Sequence, residues 1–203
     1  QNTIVDYSIP FPMFFEQLGL ENVQHLTRYV FQATLDSRPV VVKFTESYCM
    51  ELHGLLAAHN MAPKILKVSD APPVWKIIVM EYLDIIPVCS LRHHAQDISV
   101  SVSNILKLMR ENQFVHGDFR STNVLGVLIE GKFSGQIFVI DFDWSGRHGI
   151  AKYPNQMNTT ISWPQGCEPG ALLDYTHDEA WAAGFFSDDL KLSSTIACTY
   201  SFR

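Results

Sequence analysis

The chain has 203 residues, of which 47% are hydrophobic and 18% are charged, the composition of a globular protein with enough apolar side chains for one core or for two small lobes. Its formal net charge is -6 at pH 7 and no basic cluster stands out, which disfavours duplex nucleic acid and an anionic membrane surface as partners. Four cysteines without metal-ligand or disulfide spacing, and no apolar run of membrane-spanning length, predict an intracellular protein of a reducing compartment.

The first half of the sequence predicts a small sheet and one helix. The segment before VFQATL has no clear helical or alternating period, and we interpret it as an irregular arm. The β-branched runs VFQATL and PVVVKF, joined through the turn formers Asp36 and Ser37, predict a hairpin with Lys43 near the end of its second strand. The stretch SYCMELHGLLAAHN predicts a short amphipathic helix. Two further strands are predicted in APKILKVSD and VWKIIVMEYLD.

The second half predicts a long helix, a second hairpin and a long loop. DISVSVSNILKLMREN places its apolar residues on one helical face, with Asp97 as the expected N-cap. NVLGVLIE and QIFVIDF flank GKFSG, which predicts a hairpin whose turn uses Gly131 and Gly135. From residue 144 the sequence is rich in Pro and Gly and predicts one long loop. DYTHDEAWAAGFFSDDLKL then predicts a closing helix, followed by a frayed polar tail.

Two acidic motifs lie beside the ends of the predicted hairpins. FVHGDFRSTNVL places Asn123 five residues after Asp118, and VIDFDWSG places Asp141 directly after an apolar run. Phosphoryl transfer needs an aspartate near the attacking hydroxyl, an Asn and an Asp that hold magnesium, and a lysine on the nucleotide phosphates. All four groups are present, and in chain order they are Lys43, Asp118, Asn123 and Asp141. The pattern therefore predicts phosphotransferase chemistry.

These motifs resemble those of the protein-kinase-like superfamily over about residues 30–146. VVVKF resembles the V-A-I-K strand, VMEYL the hinge, VHGDFRSTNVL the H-R-D loop and VIDFDWSG the D-F-G motif. Its H-G-D and the stretch LLAAHNMAPKIL resemble those of divergent kinase-like domains of mushroom-forming fungi, and its H-G-D and I-D-F also resemble aminoglycoside and choline phosphotransferases. The resemblance implies one α+β domain over 1–203 with a bilobal protein-kinase-like fold. Residues 1–83 would form a small β-rich N-lobe and hinge, and 84–203 a shortened α-rich C-lobe.

The resemblance also implies roles for the residues of the two acidic motifs. Asp118 would orient or deprotonate the acceptor hydroxyl, and Arg120 would steady the transferring phosphate. Asn123 and Asp141 would hold magnesium. His116 would be structural, with its ring tying the catalytic loop to the magnesium motif.

Further residues are implied on the nucleotide side. Lys43 would contact the α and β phosphates of ATP. Glu51 is the expected ion-pair partner of Lys43, and Glu46 is the alternative, because Glu51 follows the lysine more closely than is usual in protein kinases. Glu81 and Leu83 would offer backbone groups of the hinge to adenine.

The sequence departs from the kinase pattern at several positions. ENVQHLTRYVFQATL contains no glycine, so the usual backbone cradle for the phosphates is missing. Gly117 replaces the arginine of H-R-D, so activation by loop phosphorylation is not expected. No A-P-E follows the magnesium motif, and Asp178 lies one residue too far from Trp181 for D-x-W-S-x-G. Asp143 stands where glycine is expected, and either contributes to the metal site or faces solvent.

We therefore expect transfer of the γ-phosphate of Mg-ATP to a hydroxyl of a protein or a small molecule, with no nucleic-acid or membrane partner. The alternative is a catalytically impaired pseudokinase that binds nucleotide or acts as a scaffold, because the glycine loop is missing and the C-lobe is short. A third hypothesis is a truncated gene product that is marginally folded. Since the sequence begins with Gln1, we expect it to be trimmed from a longer one.

Overall fold

A computed structural model describes residues 12–71 and 74–186 of the chain. These residues fall into two compact units. The first comprises 12–46, 65–71 and 74–82, and the second comprises 47–64 and 83–186. Within the described ranges, no helix combines the length and the apolar character needed to cross a bilayer.

The first unit is a five-stranded antiparallel sheet preceded by a short helix. Its elements are α1 (Pro12–Gln17), β1 (Leu20–Thr27), β2 (Val30–Leu35), β3 (Arg38–Thr45), β4 (Ile65–Ala71) and β5 (Trp75–Glu81). The strand order is β1-β2-β3-β5-β4, so β3 is the central strand. Lys43 of β3 lies opposite Val30 of β2 and Ile78 of β5. This lysine is therefore a residue of the middle of the sheet and not of its edge.

An aromatic core covers one face of this sheet. Phe15, Phe31 and Phe44 meet edge to face, with ring centroids 5.2 to 5.8 Å apart. Burial alternates along β3, where Val42 and Phe44 are buried and Lys43 between them is half-buried. Because successive side chains of a strand point to opposite faces, Lys43 lies on the face away from the phenylalanines.

The predicted hairpin of β2 and β3 is confirmed, and its turn has a clear backbone cause. Asp36 and Ser37 both have positive φ, at 48° and 62°, which is the conformation of a type I′ turn that matches the twist of the strands. The expectation of an irregular arm before β2 was wrong, because α1 and β1 lie there. Most residues of β1 are exposed at the edge of the sheet, so the strand carries no alternating apolar signal.

The second unit contains the longer helices and two smaller sheets. Its elements are α2 (Met50–Ala58), β6 (Ile85–Pro87), α3 (Ala95–Glu111), β7 (Phe114–Val115), β8 (Val124–Ile129), β9 (Lys132–Val139), β10 (Gly146–Arg147) and α4 (Tyr175–Gly184). Strands β6, β8 and β9 form an antiparallel sheet in that order, and β7 pairs with β10. The predicted α2 and α3 are confirmed, and one apolar core joins them.

The start of α3 differs from the prediction. The helix begins at Ala95, and Asp97 lies in its first turn and is not the N-cap. A 3-10 turn at Arg92–His94 leads directly into the helix, so the chain is already coiled before it reaches the aspartate. A carboxylate in the first turn still interacts favourably with the helix dipole, which is why an acid is found there.

The β8–β9 hairpin brings the two acidic motifs together. Its turn is Glu130 and Gly131, both with positive φ, and Gly135 lies inside β9, so the predicted loop was too long. Val124 pairs with Val139 across the hairpin. The two motifs therefore flank the same pair of strands.

The loop predicted from residue 144 is confirmed for segment 148–174, which holds one isolated bridge between Lys152 and Leu172. The prediction was wrong at Gly146–Arg147, where β10 pairs with β7. Segment 148–174 is nevertheless well packed, because its residues Tyr153, Cys167 and Leu173 are buried around Val115 of β7. Helix α4 confirms the predicted closing helix as far as Gly184, whereas Phe185 and Phe186 form a turn. The rest of that prediction and the polar tail lie outside the described residues.

Candidate active site

The loop from β7 to β8 carries the first acidic motif and is fixed by the ring of His116. Nε2 of His116 donates to the carbonyl oxygen of Ile140 at 3.0 Å, and Nδ1 accepts the backbone N–H of Asp118 at 3.3 Å. These two contacts place the ring proton on Nε2. The expected structural role of His116 is confirmed, since its ring joins the loop to the residue before Asp141.

Asp118 is held by two neighbours in its own loop. Nε and Nη2 of Arg120 donate to Oδ1 and Oδ2 of Asp118 at 2.5 and 2.8 Å, a bidentate ion pair. Nδ2 of Asn123 donates to Oδ2 and to the backbone oxygen of Asp118, both at 2.9 Å. Among the described contacts, these three N–H groups use three of the roughly four lone-pair positions of the carboxylate. The remaining position lies on Oδ1.

The charge of Arg120 is reinforced by the site. Burial lowers the pKa of its guanidinium, but the hydrogen bonds and charge of Asp118 and the charge of Asp141 outweigh this effect, so the pKa lies above the ordinary value. Asp118 and Asn123 are both buried, at 7% and 6% exposure. The site thus holds one permanent cation against the buried carboxylate of Asp118, within the electrostatic influence of Asp141.

Asp178 of α4 supports the same loop from a distant part of the sequence. Its Oδ2 accepts the backbone N–H of His116 at 2.6 Å, and its Oδ1 accepts that of Gly117 at 3.0 Å. The side chain is 1% exposed, and this burial raises the pKa of Asp178 to about 7 despite the two hydrogen bonds. From the sequence, Asp178 was only a loose match in HDEAW, because the tryptophan that follows is displaced by one position.

The start of α4 explains how Asp178 is aimed at the loop. Asp174 is the N-cap, and its carboxylate accepts the backbone N–H of Thr176 at 2.9 Å while its own N–H donates to Nδ1 of His177 at 3.2 Å. This reciprocal capping box fixes the first turn of the helix. Tyr153 adds a contact between its hydroxyl and the same nitrogen of His177 at 3.1 Å.

The second acidic motif follows β9. Asp141 has φ of 71°, in the left-handed region that an aspartate tolerates better than most residues. Phe142 is fully buried, stacks on His53 at 4.6 Å and meets His116 edge to face at 5.4 Å. Asp143 is half-buried. The backbone N–H of Ile140 donates to the carbonyl of Asn123 at 3.0 Å, so the polar residues of both motifs lie side by side.

This arrangement fits a magnesium ion. Because Nδ2 of Asn123 is turned to Asp118, the side-chain oxygen Oδ1 is its remaining ligand atom, and the carboxylate of Asp141 follows in the next motif. No group of three or more His, Cys, Asp or Glu suited to a metal occurs within the described ranges. Magnesium characteristically takes only one or two protein carboxylates, and phosphates and water supply its other ligands. The donor set is therefore of the type that magnesium accepts.

A hydrogen-bond chain supports Phe142 from α2. The hydroxyl of Tyr48 lies 2.8 Å from Nδ1 of His53, and Nε2 of His53 lies 2.7 Å from the carbonyl oxygen of Pro63. The carbonyl can only accept, so Nε2 carries the proton and Nδ1 accepts from Tyr48. Burial raises the pKa of Tyr48, and the charges of Asp143 and Asp141 raise it further, which keeps the phenol protonated.

The residues predicted on the nucleotide side divide between the two units. Lys43 and Glu81 lie in the sheet of the first unit, and Glu81 is the last residue of β5. Leu83 and Glu51 belong to the second unit. Glu51 lies in the first turn of α2, where its carboxylate accepts from Nη2 of Arg147 at 3.2 Å. Both side chains of this ion pair are largely exposed, at 69% and 43%.

The β1–β2 turn is built without glycine. Thr27 pairs with Val30, so only Arg28 and Tyr29 connect the strands. Nε2 of His25 donates to the carbonyl of Arg28 at 3.2 Å, and the Arg28 guanidinium lies 5.0 Å from the ring centroid of Tyr29. Side-chain contacts therefore close this turn.

No protein-family model and no curated protein matches the sequence. Among the many solved chains that match the structure, the Cydia pomonella granulovirus kinase PK-1 has a TM-score of 0.66 and 14% sequence identity. The match covers 92% of this chain and 78% of the viral kinase chain. The chain thus has an α+β, protein-kinase-like fold, as its sequence predicted. At this identity the likeness establishes the fold and nothing finer.

Proposed function

We propose that this chain is an ATP-dependent phosphotransferase that moves the γ-phosphate of Mg-ATP to a hydroxyl group of a protein or a small molecule. The observation that carries the proposal is the buried carboxylate of Asp118, held in one orientation by Arg120 and Asn123 on a kinase-like fold. A carboxylate fixed in this way can receive the proton of an attacking hydroxyl or align its lone pair.

Asp118 acts as the orienting group and base in this proposal. The acceptor hydroxyl donates to the remaining lone pair of Oδ1, which neither Arg120 nor Asn123 occupies. Arg120 lies beside this position with a permanent positive charge, which suits it to steady the oxygens of the transferring phosphate. Asp178 maintains the shape of the loop through the backbone of His116 and Gly117.

The nucleotide and its metal are assigned to the remaining residues. Asn123 and Asp141 would hold magnesium, which when bound neutralises charge that develops on the phosphates. Lys43 would contact the α and β phosphates, and the backbone of Glu81 and Leu83 would receive adenine. The proposed pairing of Lys43 with Glu51, or with its alternative Glu46, remains a prediction.

The test is a thermal melt of the chain with Mg-ATP, with magnesium alone and with ATP plus EDTA. A ligand at about a hundred times its dissociation constant should stabilise the fold by about 2.7 kcal/mol. We expect a magnesium-dependent rise in Tm that Asp141→Ala abolishes and Lys43→Met weakens. Asp97→Asn, which changes an exposed aspartate in the first turn of α3, is the matched control and should show the same magnesium-dependent rise in Tm as the wild type.

Turnover is tested by release of ADP with candidate hydroxyl acceptors. Asp118→Asn should retain nucleotide binding and lose transfer, by about 10²- to 10⁴-fold, the typical contribution of a positioned acid or base. Transfer at the wild-type rate in Asp118→Asn would contradict the proposed role of Asp118. If the wild-type chain does not bind Mg-ATP, the proposed function is wrong.

One observation favours a second candidate, a pseudokinase that binds nucleotide or a partner without turnover. Arg120 engages both oxygens of the Asp118 carboxylate, which restricts an incoming hydroxyl to one lone pair. The β1–β2 turn also lacks the glycines that let backbone amides approach phosphates. Binding of Mg-ATP with no ADP release for any acceptor would favour this second function.

A further inference from the structure

The Arg120 guanidinium has a second neighbour besides Asp118. Its Cζ lies 5.6 Å from the ring centroid of Trp163, within the range of a cation–π contact. Trp163 is half-buried and lies in segment 148–174, far along the sequence from the catalytic loop. The Arg120 guanidinium therefore donates to the carboxylate of Asp118 and also lies over the indole ring of Trp163.

The indole of Trp163 is itself held in place. Its Nε1 donates to the carbonyl oxygen of Asn158 at 2.8 Å. The side chain of Asn158 closes a turn by accepting the backbone N–H and the hydroxyl of Thr160, at 2.9 and 2.8 Å. The ring also packs against Trp144 at 5.3 Å and Trp181 at 5.7 Å. Reorienting the ring breaks a hydrogen bond and two aromatic contacts.

We propose that Trp163 is a positioning residue that holds the Arg120 guanidinium against the carboxylate of Asp118. The Arg120 side chain is 29% exposed and has several rotatable bonds, so the ion pair alone leaves it other conformations in contact with water. The indole ring attracts the cation and covers it, which favours the bidentate geometry. The consequence for phosphate transfer rests on the function proposed above, whereas the effect on Arg120 does not.

A purely structural role for Trp163 predicts a different result. Filling space needs an apolar side chain of sufficient size, whereas attraction of a cation needs an aromatic ring. Trp163→Phe keeps a ring, and Trp163→Leu and Trp163→Met keep apolar volume without one. If Trp163 only fills space, Phe, Leu and Met behave alike at Arg120. If it positions Arg120, only Phe preserves the wild-type geometry.

The experiment measures Arg120 directly by NMR of the full chain labelled with ¹⁵N-arginine. The Nε–H of Arg120 donates to Asp118, so its hydrogen exchange with water reports the ion pair. Its signal is assigned from its loss in Arg120→Lys. We expect Trp163→Leu to speed this exchange by about 2- to 30-fold, the range that corresponds to a cation–π contact, and Trp163→Phe to remain close to the wild type. Trp163→Met carries the test if the Leu variant does not fold.

The matched control uses another tryptophan. Trp75→Leu removes a half-buried indole of the first unit, packed on Tyr29 at 4.8 Å. It should leave the exchange of Arg120 close to that of the wild type. Unchanged exchange in a folded Trp163→Leu, or equally fast exchange in Trp163→Phe, would overturn the proposal.

Turnover measurements then separate this proposal from the proposed function. In an active protein, Trp163→Leu should lower kcat for ADP release with little change in KM for ATP, and Trp163→Phe should restore kcat. An equal fall in kcat in both variants contradicts the positioning role. Absence of turnover in every form, including the wild type, contradicts the proposed function and leaves the exchange result to decide the role of Trp163.

Discussion

Oδ2 of Asp178 accepts the backbone N–H of His116 at 2.6 Å, although the two residues are 62 positions apart. Asp178 belongs to α4, whose first turn is fixed by its capping box, and His116 opens the loop that carries Asp118. The backbone of that loop is therefore shaped by a carboxylate outside it. A change at Asp178 should act first on folding and only then on the site.

Asp178→Asn should destabilise the fold by about 1–3 kcal/mol at pH 5.5. The amide has one acceptor oxygen, so it cannot accept from the N–H groups of both His116 and Gly117, and one buried donor is left unsatisfied. The free energy of unfolding from urea denaturation measures the effect. Asp97→Asn is the exposed control, and equal stabilities of the Asp178 variant and the wild type would contradict the expectation.

The pH dependence of stability should carry the signature of Asp178. Its pKa rises from 3.8 to about 7 in the folded protein because of burial, so the folded state binds this proton more tightly than the unfolded state. The stabilisation is fully present below about pH 4 and is lost as the pH rises through about 7. The difference in unfolding free energy between wild type and Asp178→Asn should therefore shrink from pH 5 to pH 8. A difference that grows with pH would show an ordinary ionised carboxylate.

Gly117→Ala should destabilise the protein by about 1–3 kcal/mol. Gly117 has φ of 82°, and an added Cβ would lie 3.1 Å from the carbonyl oxygen of Trp144 and 3.2 Å from Cδ2 of Leu173. Gly54→Ala is the matched control, since Gly54 lies in α2 with nothing within 4 Å, and should stabilise by up to about 1 kcal/mol. Urea denaturation of both variants checks the contrast.

Asn123→Asp should separate metal binding from the support of Asp118. The new carboxylate keeps an oxygen ligand for magnesium, but it loses the N–H group that donates to Asp118. Isothermal titration should therefore show Mg-ATP binding retained, with transfer reduced by at least about tenfold, while Asn123→Ala loses both. Loss of binding in the Asp variant alone would contradict the assigned roles.

Glu51→Gln tests the predicted partner of Lys43. The ion pair of Glu51 with Arg147 is exposed, so its loss should cost at most about 1 kcal/mol of stability. Weaker Mg-ATP binding in Glu51→Gln, with normal binding in Glu46→Gln, is the expected result of a titration calorimetry comparison. The opposite pattern would transfer the assignment to Glu46.

The parts of the fold that the sequence predicted correctly are those with a strong local signal. The β2–β3 hairpin has β-branched strands and a two-residue turn, and α3 has one clear apolar face. Strand β1 was missed because its residues are exposed at the edge of the sheet and show no alternating apolar period. The N-cap of α3 was misassigned because a 3-10 turn leads directly into the helix.

The residues of the candidate site likewise divide into those that a local sequence pattern predicted and those that only the structure brings together. The spacing of Asp118 and Asn123 is local and was found from the sequence, since one loop carries both. The contact of Trp163 with Arg120 joins a loop without periodicity to a residue far upstream, so no spacing encodes it. Asp178 was noticed only through its neighbours in HDEAW, and its hydrogen bonds required the fold.

Segment 148–174 is closed near its two ends by backbone hydrogen bonds. They join Gly149 to Leu173, Leu173 to Ala151 and Tyr153 to Ala171, at 3.0, 2.9 and 2.9 Å. With the base closed, each doubling of the length between the ends costs only about 0.6 kcal/mol of loop entropy. Added residues between these ends should therefore cost little stability, as long as Trp163, β10, α4 and the core keep their contacts.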